Sequence, residues 1–201
     1  MLVPTMGALH EGHLSLIRRA RKLAGDDGVM VVSVYVNPTQ FNDPKDLKKY
    51  PRTLAADKEL CRAEGVDAVF APQTLYPVGA SVEIGENDLA LQFEGEHRPG
   101  HFAGVMTVVA KLFHLVQPTE AVFGEKDFQQ VAVIRRMIRD LDFPVRLILV
   151  PTVREVDGLA MSSRNVRLKG RLREQASVLP SAIRLAKESV GDSVAGLKRR
   201  L

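Results

Sequence analysis

Gly25-Asp-Asp-Gly-Val-Met-Val-Val-Ser-Val-Tyr-Val36 sets a polar, glycine-flanked stop directly before an eight-residue run, Val29 to Val36, that is almost wholly apolar. A run apolar on both alternating faces fits a strand covered from both sides, as in a parallel sheet between helix layers. Before the stop, Leu14, Ile17, Ala20, Arg21 and Ala24 keep helical spacing. After it the unit repeats. Leu54 to Glu64 reads as a helix, Gly65-Val66-Asp67 as a turn and Ala68-Val69-Phe70 as a short strand. The stripe Phe102, Val105, Met106, Val109, Leu112, Phe113 and Val116 reads as a helix that leads to Ala121-Val122-Phe123. A helix from about Lys126 to Leu141 and a strand from Val145 to Val150 follow. Alternating helices and strands predict an α/β fold with a mainly parallel, doubly wound sheet. Alternation between Val82 and Phe93 predicts a small antiparallel excursion at the sheet edge, where a dimer contact could form. From Thr152 a polar loop runs to Ser162-Ser163-Arg164-Asn165, followed by a charged helix from about Gly170 to Ser189, so a boundary is expected near Pro151.

At 201 residues and 45% apolar, the chain can bury one full core and a smaller second one. Its 28 basic and 24 acidic side chains leave a net charge of +4, which suits anionic ligands. The basic residues form no run interleaved with aromatics, which argues against nucleic acid. Cys61 is the single cysteine, so no internal disulfide is available and a reducing, cytoplasmic setting is expected, with Cys61 packed in a helix. Met1-Leu2-Val3-Pro4 lacks a signal-peptide pattern, and no stretch approaches about eighteen consecutive apolar residues, so no membrane association is expected.

In open parallel sheets ligands bind beyond the carboxyl ends of the strands. Four polar segments fall there. Val3 leads into Pro4-Thr-Met-Gly-Ala-Leu-His-Glu-Gly-His13, Val36 into Asn37-Pro-Thr-Gln40, Phe123 into Gly124-Glu-Lys-Asp127, and Val150 into Pro151-Thr-Val-Arg-Glu155. His10 and His13 are three apart at a helix start, where unpaired N–H groups and the helix dipole attract anions. Gly7 and Gly12 allow close backbone approach. Two imidazoles on one phosphate, an imidazolium adding charge, suggest adenylyl or phosphoryl transfer; ordinary first-turn histidines are the competing reading. Lys126 and Gln130, four apart, share a helix face. Ser162, Ser163 and Arg164 in a loop near Gly158 could fold over a polyphosphate as a lid, or serve as a surface linker. His97 and His101 could join His10 and His13 in a zinc site, or lie in a loop near an anion. His114, with Thr107 and Lys111 on the polar side of the long stripe, is expected to be exposed.

The blocks Pro4 to His13, Val36-Asn-Pro-Thr-Gln-Phe41, Tyr50-Pro-Arg-Thr53, His97-Arg-Pro-Gly-His-Phe102, Phe123-Gly-Glu-Lys-Asp-Phe-Gln-Gln130 and Gly158-Leu-Ala-Met-Ser-Ser-Arg-Asn165 closely resemble, in family order, the pantothenate synthetase family. The resemblance runs from Leu2 to about Asn165. It implies a Rossmann-like nucleotidyltransferase fold over residues 1–151 and a truncated, partial C-terminal α+β lid domain over 152–201. It also implies an AMP-forming ligation: pantoate is adenylated by ATP, pyrophosphate leaves, and β-alanine displaces AMP to give pantothenate.

By the same resemblance, Met6, Gly7, Ala8, Leu9, His10, Glu11, Gly12 and His13 form the ATP turn, with His13 at the proton-donor position and His10 beside it on the phosphates. Gly124, Glu125, Lys126, Asp127, Val153, Met161, Ser162, Ser163 and Arg164 are further ATP-binding positions. Gln40 and Gln130 hold pantoate, and Gln40 borders the β-alanine site. Mg2+ would arrive with ATP, and Asp57 is the carboxylate to watch, since Ala56 and Leu60 replace the acidic and glutamine neighbours of some relatives. A homodimer is implied. Against the family pattern only Met1-Leu2-Val3 of the first strand is expected, a short support for the histidine turn. A different nucleotidyltransferase, or an ATP-binding protein without catalysis, remains open at this point.

Overall fold

The computed structural model describes residues 1–189 and 191. Five strands, β1 (Leu2–Thr5), β2 (Val31–Val34), β3 (Ala68–Phe70), β4 (Glu120–Gly124) and β5 (Arg146–Val150), form one sheet in the order β3-β2-β1-β4-β5, every neighbouring pair parallel. The alternating pattern therefore pointed to the right sheet. Its central strand reaches two residues further than the sequence suggested. Pro4 and Thr5 stay paired with Ser33 and Val34, and the Thr5 hydroxyl donates to the Ser33 carbonyl at 2.7 Å. The second strand is shorter than the apolar run: Val29 is exposed, and Met30 is buried just outside the strand.

Helices cover both faces, so strand residues of either parity are buried. On one face α1 (Glu11–Ala24) and α3 (Leu54–Ala63) bring Leu16, Ile17, Ala20 and Cys61 against Val3, Val32 and Val122. Cys61 is packing, as expected. On the other, α5 (His101–Val116) and α6 (Phe128–Asp140) pack Phe102, Met106, Phe113, Ile134 and Met137 around Leu2, Ala121 and Phe123. Short helices α2 (Pro44–Lys49) and α4 (Glu94–His97) lie in the connections. α5 is buried nearly all round: Thr107, expected on a polar face, is buried and accepts the Ile84 N–H at 2.8 Å, whereas His114 is exposed.

The edge ribbon expected over Val82–Phe93 does not form. Gly85, Asn87 and Asp88 interrupt it, and the Glu86 carboxylate accepts the N–H groups of Asp88 and Ala90, winding the chain into a 3-10 turn at Leu89–Leu91. The alternating apolar residues serve a loop, with Ile84, Leu89 and Ala90 packing on the α5 core.

The chain divides into two compact units, Met1–Pro151 and Thr152–Leu201. In the second, Arg154 and Ala160 pair in a tight hairpin that turns at Gly158 with φ +89°. The charged helix expected from about Gly170 is two helices, α7 (Arg171–Gln175) and α8 (Val178–Glu188). Arg173 ties α7 to Glu155 at 2.6 Å and Asp157 at 2.5 Å. Of the lid domain expected over 152–201, residues 190 and 192–201 lie outside those described.

Ile17, fully buried between α1 and the sheet, holds the helix that begins at the histidines. Ile17→Ala is expected to destabilise the chain by about 2–5 kcal/mol, read as a lower urea midpoint with an unchanged denaturant slope.

Candidate active site

The sheet changes direction at its centre: from β1 the chain proceeds to β2 and β3 on one side, and to β4 and β5 on the other. Such a switch point leaves a crevice beyond the carboxyl ends of the two central strands. The segment after β1 holds His10 and His13, and the segment after β4 holds Lys126 and Asp127. They meet electrostatically, since the Lys126 charge lowers the proton affinity of both imidazoles.

Gly7 and Ala8 both adopt positive φ, +79° and +50°, to make the turn out of β1. The turn is braced from below by Asp57, one turn into α3 and 1% exposed. Its carboxylate accepts the Ala8 N–H at 3.1 Å, the Leu9 N–H at 2.8 Å and the Thr53 hydroxyl at 3.2–3.3 Å. Both oxygens are thereby engaged. Asp57 is a buried support, which its sequence position did not distinguish from a metal ligand. The described residues contain no group of three His, Cys, Asp or Glu able to hold a metal ion. His101, one of the four histidines of the zinc reading, is buried against the Gln40 carbonyl instead.

The helix start also differs from an open anion cradle. His10 is the N-cap of α1; its Nδ1 accepts the Gly12 N–H at 3.1 Å, while the His10 N–H donates to His13 Nδ1 at 3.3 Å. This is a capping box made of two imidazoles, their ring centroids 4.1 Å apart. With Gly7 N–H on the Thr5 hydroxyl and His13 and Leu14 N–H groups on the His10 carbonyl, Glu11 alone between Gly7 and Leu14 keeps an unbonded amide among the described residues. The Glu11 carboxylate pairs with Arg18 on the outer helix face. Backbone donors occupy both Nδ1 atoms, so each neutral ring carries its proton on Nε2. Burial, then the His10 and Lys126 charges, push His13 down to about 3, and burial and Lys126 lower His10. The imidazolium expected from the sequence is thus a neutral Nε2–H donor, and the cation facing the pair is Lys126, 3.0 Å from Asp127.

Gln40 closes a 3-10 turn, Pro38–Gln40, beyond β2. Its Nε2 donates to Met6 Sδ at 3.4 Å, joining this turn to the exit of β1, and its Oε1 accepts from Asn37 Nδ2 at 3.1 Å. Asn37, an ordinary turn residue by sequence, is 1% exposed. Gln130 lies half-buried in the first turn of α6, its side chain making no hydrogen bond among the described residues, and Glu125 is exposed beside Gly124. His97 is exposed in α4. In the second unit, Val153 and Met161 face each other across the hairpin, the Met161 N–H donating to the Val153 carbonyl at 3.0 Å. There Ser162 Oγ accepts the Arg164 N–H at 3.2 Å, with Ser163 between them.

A parallel sheet with histidines, a lysine and amides gathered at its switch point defines an α/β protein of the nucleotide-binding, Rossmann-like class. The family model described as Pantoate-beta-alanine ligase matches residues 1–200, and the chain belongs to that family. A pantothenate synthetase from Akkermansia muciniphila is 55% identical over 190 residues, covering 94% of this chain and 68% of its own length. The crystal structure of the Thermus thermophilus enzyme superposes with a TM-score of 0.92 at 52% identity, covering 98% of this chain and 72% of that one. The Francisella tularensis ligase, complexed with beta-gamma ATP and beta-alanine, gives 0.85 at 41% identity over 91% of this chain and 70% of that one. The chain spans 57% to 71% of the length of such curated relatives.

With His13 neutral in the folded chain and an ordinary value of 6.5 when unfolded, the unfolded state binds more protons below pH 6.5. The His13 contribution to stability is therefore expected to be level above about pH 6.5 and to fall as the pH drops toward about 5, above the ordinary carboxylate range. His13→Asn, which keeps an acceptor near Nδ1 but does not titrate, should lessen the slope of the urea midpoint over that window, the lowered His10 and His101 leaving the rest. Separately, a Cβ on Gly7 would lie 2.9 Å from both Asp57 Oδ2 and Val34 Cγ1, at φ +79°. Gly7→Ala is expected to lower the thermal midpoint and weaken ATP binding together, measured by calorimetry.

Proposed function

We propose that the chain catalyses the ATP-dependent ligation of pantoate and β-alanine to pantothenate through a pantoyl-adenylate intermediate, releasing pyrophosphate and AMP. The observation that carries this reading is the convergence of His10, His13 and Lys126 at the switch point, with Gln40 held to the same turn through Met6. Met6 to His13 and Gly124 to Asp127 receive ATP, His10 and His13 meeting phosphate oxygens through their Nε2–H groups. Gln40 and Gln130 hold pantoate. Val153, Met161, Ser162, Ser163 and Arg164, in the second unit, are the further ATP positions that the family resemblance implies.

Little covalent work falls to the protein. A pantoate carboxylate oxygen attacks the α-phosphorus, the bond to pyrophosphate breaks, and the β-alanine nitrogen then attacks the acyl carbon and expels AMP. Positioning and electrostatic stabilisation supply the catalysis. Phosphate charge beside His13 opposes the desolvation that keeps it neutral, so the bound triphosphate itself raises the ring's proton affinity toward a proton-donating role. The described residues do not fit a protein cage for magnesium, since Asp57 is fully engaged; Mg2+ would travel on ATP oxygens and water. A homodimer, implied by the family resemblance, and a reducing, cytoplasmic setting, suggested by the single cysteine, belong to the same proposal. No described helix is long and apolar enough to cross a membrane.

Purified chain supplied with ATP, Mg2+ and pantoate should exchange labelled pyrophosphate into ATP, and should release AMP at a sustained rate once β-alanine is added. Exchange that ignores pantoate would reject the assignment and favour a different nucleotidyltransferase. His13→Ala is expected to slow the exchange by roughly 10²- to 10⁴-fold.

A further inference from the structure

Arg98, His101 and Gly104, spaced three residues apart across the start of α5, all contact the Asn37–Gln40 segment. The Gln40 main-chain carbonyl accepts from His101 Nδ1 at 2.8 Å and from Arg98 Nη2 at 3.1 Å. A Cβ on Gly104 would sit 2.6 Å from the Thr39 carbonyl, so the two backbones meet without an intervening side chain. The Gly104 carbonyl in turn accepts Asn37 Nδ2 at 3.0 Å.

These bonds fix polarity as well as position. Asn37 Oδ1 receives the Tyr76 hydroxyl at 2.9 Å and the Thr39 hydroxyl at 3.0 Å, and Nδ2 faces a carbonyl, so the Asn37 amide has one permitted orientation. Its Nδ2 also donates to Gln40 Oε1. Gln40 therefore has its oxygen occupied and its nitrogen opposed only by the weak thioether acceptor of Met6. His101 meets the same requirement: Nδ1 bears the proton given to Gln40, and Nε2 accepts from Arg98 Nη1 at 3.1 Å, while Arg98 is held by Glu94 at 2.6 Å. Burial pushes this imidazole below its ordinary range, in keeping with a neutral ring.

We propose that Arg98 and His101 are positioning residues that grip the Gln40 carbonyl and thereby hold the Gln40 amide nitrogen-outward, as a donor to an oxygen acceptor of the substrate acid. This rests on the reading of Gln40 as a pantoate-binding side chain. The grip acts on the peptide, so it selects for an oxygen-bearing ligand without His101 or Arg98 touching it.

The test uses the full chain. In substrate-free, 15N-labelled protein, Gln40 should show one well-dispersed side-chain NH2 pair that shifts or broadens in His101→Ala and returns toward its place in His101→Asn, whose amide can donate to the same carbonyl. In exchange kinetics, His101→Ala should raise the KM for pantoate at least about 10-fold, an effect of misplacement, and leave the KM for ATP near wild type. Adding Gln40→Ala to His101→Ala should cost little beyond either alone. Unmoved Gln40 signals, or additive losses spread equally over both substrates, would overturn the proposal. Should His101→Ala not fold, Arg98→Lys, which keeps the charge but not the fork, is read in its place. If the wild-type chain shows no pantoate-dependent exchange, the functional reading fails, and the Gln40 signals still decide the positioning.

Discussion

The site depends on one buried carboxylate. Asp57 reaches from the first turn of α3 to the loop leaving β1 and takes the N–H groups of Ala8 and Leu9. A carboxylate accepting charge-assisted bonds from two amides locks their peptide planes, and a left-handed Gly7-Ala8 pair would not hold that shape unaided. Leaving such buried donors unpaired costs about 1–3 kcal/mol each, so the loop and α3 move as one body. The position of His10 and His13 is set by this brace, because their helix starts where the loop ends.

The brace changes how the crevice can treat an anion. A bare helix terminus offers amides; here the amides from Gly7 to Leu14, Glu11 excepted, are satisfied by the protein itself. What the two rings keep unbonded among the described residues is a pair of Nε2–H groups, with the Lys126 ammonium near enough to act on both. Such a surface binds through side-chain donors at fixed points, which suits a ligand that must keep one phosphorus in line with an attacking oxygen. It also stays uncharged at the histidines until a ligand brings charge. An empty crevice with two adjacent imidazolium ions would carry a repulsion that this arrangement avoids.

The sheet was legible because its cause is local: apolar runs at Val29–Val36, Ala68–Phe70, Ala121–Phe123 and Val145–Val150, separated by helical stripes, leave few alternatives to a parallel stack. Strand ends were not, since Thr5 is held by its hydroxyl to Ser33 and Val29 simply falls beyond the sheet. The false edge ribbon at Val82–Phe93 shows the limit of period-two reading. Alternation there reflects which side chains reach α5, and the carboxylate of Glu86 decided the backbone. In the site, the family blocks marked segments that lie beyond the carboxyl ends of β1, β2 and β4, but the use of Asp57, Asn37 and His101 depends on partners 39 to 67 residues away. The protonation of His13 likewise depends on burial and on Lys126, which no local pattern displays.

Two supports of the same design flank the crevice. On one side α3 holds the β1 loop through Asp57; on the other the junction of α4 and α5 holds the β2 loop through Arg98, His101 and the bare Gly104 backbone. The Gln40–Met6 contact joins the two held loops. In both cases the supporting groups bond to main chain, and in both a glycine lets the support come within reach, Gly7 under Asp57 and Gly104 under Thr39. Gripping the peptide leaves the side-chain donor atoms of His10, His13 and Gln40 assigned by the protein's own hydrogen bonds. The conformational entropy of the loops is then lost on folding rather than on binding, so that in the proposed reaction binding free energy can be directed to aligning the attacking oxygen and the phosphorus.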